Sequence, residues 1–270
     1  MPGFDSHGTF QKAANEYTKI QDAFPEVIRD PLLADMAVKE GDRILDLPCG
    51  TGDAIVKAAE IAGPTGHVLA IDISPSMIEE AKENAEAAGV KNIDFVVEDM
   101  DKAQFDTAAY DIVVSANGPF FASDLKAFLT RMWDAVKPGG KLVLMTLGRN
   151  FLTPISGVFL DLAQNKTDGL QVSTPWRITE DIHFLRTLLK EVTDKQRVDV
   201  IHRDHVMDYK TADGGWNLLM GTAFRGYTLG MSQEHQAEIE AEIKEWVQTN
   251  RQFTATCSFN HIIVTKDEDA

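Results

Sequence analysis

Three aspartates each stand near the end of a short apolar run: Asp46 in RILDL, Asp72 in HVLAIDI and Asp99 in NIDFVVED. The first run continues at once into Pro48, Cys49, Gly50, Thr51, Gly52 and Asp53. A strand that breaks into a glycine turn and then opens a helix makes a ligand cradle. The helix start offers free N–H groups and partial positive charge, and glycine lets a ligand approach the backbone. The G-x-G-x-x-G spacing of dinucleotide folds is absent, as is a P-loop lysine. Asp53, just past the turn, is poorly suited to a pyrophosphate. Carboxylates suit hydroxyl and amine donors instead. Asp46 is placed to help hold a cationic amine. Asp72, about twenty residues beyond the turn, can accept two ribose hydroxyls. Asp99 can accept an adenine amine. The set fits a ligand with adenosine and an ammonium but no phosphate.

The elements that must position these groups follow from the apolar pattern. Strands are predicted at 43–47, 67–73, 92–99, 110–117 and 141–147, with helices at 54–62, 74–89 and 125–137 between them. Ser74 reads as an N-cap, Pro75 as the first helical residue and Gly89 as the stop. The strands are near-continuously apolar, the mark of a sheet covered on both faces. Their alternation with helices implies right-handed βαβ units and a doubly wound sheet. Beyond residue 150 the pattern changes. Helices are predicted at 150–172 (with loops), 179–192, 214–230 (in part) and 232–249, and strands at 197–209 and 254–266. A closing helix, strand, helix, strand places the last strand antiparallel in the sheet. The expectation is an α/β chain: a doubly wound, Rossmann-like seven-stranded sheet with an antiparallel last strand and a helical cap. It reads as one domain over 1–270. Cap helices fall in 1–40, the cofactor-binding core in 41–147, and the late strands with the substrate cap in 148–270.

Composition narrows the partners. The 270 residues carry a formal charge of −16, with 44% hydrophobic and 25% charged residues. Such a surface repels nucleic acid and anionic lipid. Two cysteines make no disulfide framework. The N-terminal stretch lacks a signal-peptide core, and no apolar run reaches membrane-spanning length. A cytoplasmic protein with a small-molecule substrate is expected. Oligomeric state is not legible.

ILDLPCGTGD, VLAIDISPSMIEEAKENA, FVVEDM and VKPGGKLVLM together resemble the class I S-adenosylmethionine-dependent methyltransferases. The nearest branch is that of ubiquinone/menaquinone-biosynthesis and natural-product methyltransferases. The likeness is strong over 10–147 and looser over 175–265. It implies S-adenosylmethionine as cofactor and S-adenosylhomocysteine as product. It also implies cofactor contacts from Tyr17, Asp46, Pro48, Gly50, Gly52, Asp72, Ile73, Met77, Asp99, Met100 and Asn117. Pro48 departs from the usual D-x-G-x-G-x-G pattern, since proline removes an N–H and fixes φ. SANGPFF (115–121) loosely resembles the N/D-P-P-Y loop of amine methyltransferases, with Gly118 breaking the pattern.

Methyl transfer needs a base only for a neutral hydroxyl or thiol acceptor. Asn117 and His7 are the catalytic candidates, and His183, His202, His205 and His261 are further histidines to place. No zinc spacing occurs, and no metal is expected. Phe120, Phe121, Trp176, Trp216 and Phe224 are the candidate substrate contacts, alongside cap residues Phe151, Met220 and Tyr227. The expected activity is methylation of a small hydrophobic or aromatic metabolite at O, N, S or C. The alternatives are a cofactor-assisted cyclisation or rearrangement, or a non-catalytic methyltransferase-like partner subunit.

Overall fold

Strands and helices alternate along the first half of the computed structural model, which describes residues 26–166, 174–194, 196–229 and 231–268. Helix α1 (Arg29–Met36) precedes strand β1 (Arg43–Asp46), α2 (Asp53–Ala62), β2 (His67–Asp72), α3 (Pro75–Ala87) and β3 (Ile93–Val97). Then come β4 (Tyr110–Ala116), α4 (Leu125–Ala135) and β5 (Val136–Leu147). The later half holds α5 (Ile155–Lys166), a short α6 (Arg177–Glu180), α7 (Ile182–Val192) and β6 (Val198–Asp208). It closes with α8 (Ala212–Met220), α9 (Gln233–Asn250) and β7 (Thr254–Thr265).

The seven strands form one sheet in the order β3-β2-β1-β4-β5-β7-β6. Only β7 runs against its neighbours, wedged between β5 and β6. The strand order reverses between β1 and β4, and their carboxyl ends flank the crevice where such sheets bind ligands. Successive strand residues face opposite layers. Ile44 therefore joins a core with α1, α2, α5, α8 and α9, while Leu45 joins the core under α4 and α7.

Local chemistry explains most boundaries. Ser74 caps α3, its Oγ accepting the Met77 N–H at 3.4 Å, and Pro75 occupies the first helical position. Gly89 follows at φ 71°, the left-handed stop glycine supplies. Three boundaries and the cover of one strand differ from the sequence pattern. The segment 179–192 is two helices, because the Asp181 carboxylate accepts the N–H groups of His183 (2.9 Å) and Phe184 (3.2 Å) and starts a new one. Strand β5 begins at Val136, not at 141. Its register with β4 shifts between Tyr110 and Ile112, and Gly139 and Gly140 bond to Lys266 within the ladder, so Pro138 sits beside an irregularity that tolerates it. Strand β3 is an edge strand with Val96 and Val97 exposed; cover on both faces holds for the central strands only. It also stops at Val97, which leaves Asp99 in the following turn rather than at the strand end.

Helix α1 is tied to the late strands by buried charge. Asp35 accepts two bonds from the Arg203 guanidinium (2.9 and 3.0 Å) and one from His261 Nδ1 (2.5 Å). The contact bridges 226 residues of sequence.

Candidate functional site

A cleft of about 1050 Å³, counted to its open mouth, lies at the carboxyl ends of β1, β2 and β4. Its floor is the turn 47–53. Gly50 (φ 55°) and Gly52 (φ 81°) take left-handed conformations there, which glycine adopts without strain. Gly52 also presses on α3: a Cβ would meet that of Ala81 at 3.1 Å. The turn is held by the strand beside it. Cys49 donates its N–H to the Ile71 carbonyl at 2.9 Å, and Gly50 donates to Asp72 Oδ2 at 2.9 Å. The other Asp72 oxygen accepts the Ser74 N–H at 2.9 Å. Asp72 thus clamps the turn on one side and the start of α3 on the other.

Asp46 is buried at 6% exposure, and its Oδ1 has no hydrogen-bond partner. Burial, and then the charge of Asp72, push its carboxyl well above the usual carboxylate range. The same burial, with Asp72 and Asp46 adding to it, raises the Cys49 thiol. At the helix start, Asp53 pairs with Arg29 of α1 at 3.3 Å. Asp99 also lines the cleft; its oxygens meet the Asp101 N–H (3.0 Å) and the Lys102 ammonium (3.2 Å). Ile73, Met77 and Met100 add apolar wall on that side.

At the β4 end, Asn117 takes φ 53° and donates its N–H to the Met145 carbonyl at 2.8 Å. Its Oδ1 is buried without a partner, and the residue lines the cleft. Gly118 explains why Pro48 fits. A Cβ at Gly118 would fall inside the Pro48 ring, so two departures seventy positions apart in sequence fill one space. Gly118→Ala is expected to cost about 1–3 kcal/mol, the usual range for overpacking. Adding Pro48→Gly should recover most of it. Urea unfolding of the single and double variants checks this, and a Gly118→Ala protein as stable as the parent would refute it.

The sequence candidates divide plainly. Asp46, Pro48, Gly50, Asp72, Ile73, Met77, Asp99, Met100, Asn117 and Phe121 line one cleft, and Gly52 shapes its floor. Phe120 is buried beneath, its ring 4.6 Å from that of Phe121. Trp176, Trp216 and Phe224 lie elsewhere, packed with Phe159 and Tyr227 into the aromatic core of the cap. Trp176 and Phe224 stand 5.6 Å apart edge to face, and Phe159 lies 6.0 Å from Phe224. Burial of large rings in the cap, at 4% and 2% exposure for Trp176 and Phe224, explains why they do not reach the cleft wall. His7 and Tyr17 lie outside the described residues. His202 bonds Asn260 and Asp204, His261 bonds Asp35, and His183 follows the α7 cap. Among the described residues lining the cleft there is no histidine, lysine or arginine. Sequence reading missed Ile28 and Leu32, which bring α1 to the cleft wall. Helix α1 has no strong apolar stripe, so only its position in the fold marks them.

The residues fit an adenosine ligand with an ammonium. The buried Asp46 Oδ1 has no hydrogen-bond partner, a second carboxylate sits at the adjoining strand end, and among the described lining residues there is no cation to welcome a phosphate. This sheet, with this crevice, defines the class I S-adenosylmethionine-dependent methyltransferases. The chain belongs to the methyltransferase-domain family, whose model matches residues 38–268. A demethylmenaquinone methyltransferase of Staphylococcus aureus is 28% identical over 186 residues, spanning 62% of this chain and 76% of that protein. In fold the chain is similar to a putative methyltransferase of Bacillus halodurans (TM-score 0.58, 17% identity, 88% of this chain and 97% of that one). It is also similar to Haemonchus contortus phosphoethanolamine N-methyltransferase 2, solved with phosphomonomethylethanolamine and S-adenosylhomocysteine (TM-score 0.55, 16% identity, 99% and 61%). Among the described residues no helix is long and apolar enough to cross a membrane.

Proposed function

We propose that this methyltransferase acts on a small, neutral, hydrophobic or aromatic metabolite, and that the cleft at the ends of β1, β2 and β4 is where it does so. The observation that carries this is the lining: carboxylates and apolar side chains, with no histidine, lysine or arginine among the described residues that line it to pair with an anionic acceptor. Bound there, S-adenosylmethionine supplies an electrophilic methyl group on a sulfonium. Asp46 holds the ammonium, Asp72 the ribose hydroxyls, and Asp99 with Ile73 and Met100 the adenine. The chain's further work is positioning and exclusion of water, which supply most of the acceleration in such a displacement. Ile28, Leu32 and Phe121 form the dry wall. Asn117 Oδ1 accepts a hydrogen bond from the acceptor's O–H or N–H and orients its lone pair.

The Staphylococcus aureus relative is named for demethylmenaquinone, and an apolar quinone-type ring suits this wall. A phosphate-bearing acceptor does not suit five lining carboxylates. Nor does the net charge of −16 suit RNA. The test is incubation with S-adenosylmethionine and two acceptor panels, hydroxylated aromatics with quinols and phosphorylated amines, read by mass spectrometry. One added methyl on the first panel, with stoichiometric S-adenosylhomocysteine, is expected. Turnover confined to the phosphorylated panel would overturn the acceptor class.

A further inference from the structure

The cleft wall beyond β3 is a turn, and its shape is imposed from outside the cleft. Glu98, Asp99 and Met100 line the cleft there. The Asp99 carbonyl accepts the N–H groups of Lys102 (2.9 Å) and Ala103 (2.8 Å), so the chain makes one helical coil and stops. A coil that stops leaves its later carbonyls without partners of its own, and a cation suits that end. Arg131 of α4 takes the place. Its Nη1 donates to the Met100 carbonyl at 2.9 Å and to the Asp101 carbonyl at 3.1 Å. Its Nη2 donates to the Ala103 carbonyl. Three carbonyls of one short turn thus converge on one guanidinium, whose donors form a planar, rigid fork. The Phe105 ring lies 5.1 Å from that guanidinium. The helix behind it is firmly placed: Asp124 caps α4 through the Ala127 N–H at 3.0 Å, and Phe128, Leu129 and Met132 are buried. A second tie joins the same two segments, since the Asp101 carboxylate accepts the Ser123 N–H at 3.1 Å. Within the turn, Asp99 Oδ1 accepts the Asp101 N–H at 3.0 Å and Oδ2 meets the Lys102 ammonium at 3.2 Å. The direction of the Asp99 carboxylate therefore follows the shape of the turn.

We propose that Arg131, which does not itself line the cleft, is the positioning residue for the base end of the cofactor: by holding the carbonyls of the turn it fixes where Asp99 and Met100 stand, and so decides whether the site recognises the 6-amino group of the purine. This rests on the reading of the cleft as the cofactor site, with Asp99 as acceptor of the adenine amine. Arg131 makes no contact with the ligand in this role. Its effect is on geometry alone. With the fork in place, Asp99 presents a carboxylate in one direction and Met100, 9% exposed, presents an apolar wall. Without it, three carbonyls lose their donors together, and the turn has no reason to keep one shape. A carboxylate that wanders still attracts a ligand with an ammonium, but it no longer reads the edge of the base.

The experiment is calorimetric titration of the full chain with two probes: S-adenosylhomocysteine, and its 6-deamino purine analogue, in which hydrogen replaces the amine. The parent, Arg131→Met and Arg131→Lys are compared, each checked for folding by circular dichroism. The parent should favour the amine-bearing probe by about tenfold or more, as a site built around an N–H donor does. Arg131→Met keeps most of the stem and loses every donor. Its affinity for S-adenosylhomocysteine should fall by about tenfold or more. Its preference should shrink towards one, because the deamino probe has no bond to Asp99 to lose. Arg131→Lys gathers its donors on one atom, which does not span the turn, and should give a preference between the two. A loss of folded protein lowers both affinities alike and leaves their ratio untouched, so the ratio separates positioning from mere support. A parental ratio in Arg131→Met overturns the proposal while the cofactor reading stands. If that variant does not fold, a full parental ratio in Arg131→Lys overturns it instead. A parent that binds both probes equally also overturns it. A parent that binds neither overturns the cofactor reading itself.

Discussion

Asp72→Ala is expected to lose S-adenosylmethionine and S-adenosylhomocysteine binding by at least a hundredfold. The reasoning starts from the backbone. Two N–H groups, of Gly50 and Ser74, each give a 2.9 Å bond to this one carboxylate. Hydrogen bonds to a charged group contribute about 1.5–3 kcal/mol each. Their loss frees the glycine turn on one side and the start of α3 on the other. The ribose hydroxyls proposed to meet the same carboxylate lose their acceptor too. A penalty of about 3 kcal/mol in binding corresponds to a factor above a hundred. Asp72→Asn keeps one acceptor oxygen and the shape, and should fall between the two. Calorimetric titration, paired with thermal unfolding of the free variants, separates lost contact from lost fold. Affinity within threefold of the parent in a folded Asp72→Ala protein would remove Asp72 from the cofactor site.

The acid at the end of β2 was legible because it follows from a local pattern: an apolar run, an aspartate, then a serine cap and a proline. The same holds for Asp46 and the glycine turn, and for the antiparallel insertion of β7, which the order of late elements implies. What was not legible depends on contacts across the fold. Gly118 reads as a broken motif until the Pro48 ring is seen in its place. Trp176 and Phe224 look like substrate contacts because aromatic residues suit both a pocket and a core, and composition does not say which. Asp99 lies two residues past the end of β3 rather than at the strand end, since nothing in VVEDM says that the edge strand ends before its acids.

The longest-range feature, the link from Asp35 to Arg203 and His261, gives the other large effect. Asp35→Ala is expected to lower the unfolding free energy by about 3 kcal/mol or more, the usual penalty for breaking a buried charge pair from one side. Arg203 and His261 would be left without their acceptor beside the sheet. Replacing Arg203 as well, in Asp35→Ala/Arg203→Met, should recover part of the loss, because removing both charges relieves the one left unpaired. The pH dependence has a definite sign. Burial alone would raise the Asp35 carboxyl, but the bonds from His261 and Arg203 outweigh it and hold it below its ordinary value. The carboxylate's contribution is then present above the ordinary aspartate range and is lost as pH falls through the lower folded value. The gap in urea midpoint between parent and Asp35→Ala should therefore be full at pH 7 and shrink toward pH 3. A gap that stays constant over that range would show that the charge is not what anchors the helix. Loss of the anchor should also reach the cleft. Asp35 sits on the helix that carries Leu32, which lines the cleft beside Ile28 at the helix start. A variant that loosens α1 should bind S-adenosylhomocysteine more weakly without touching any residue that meets it.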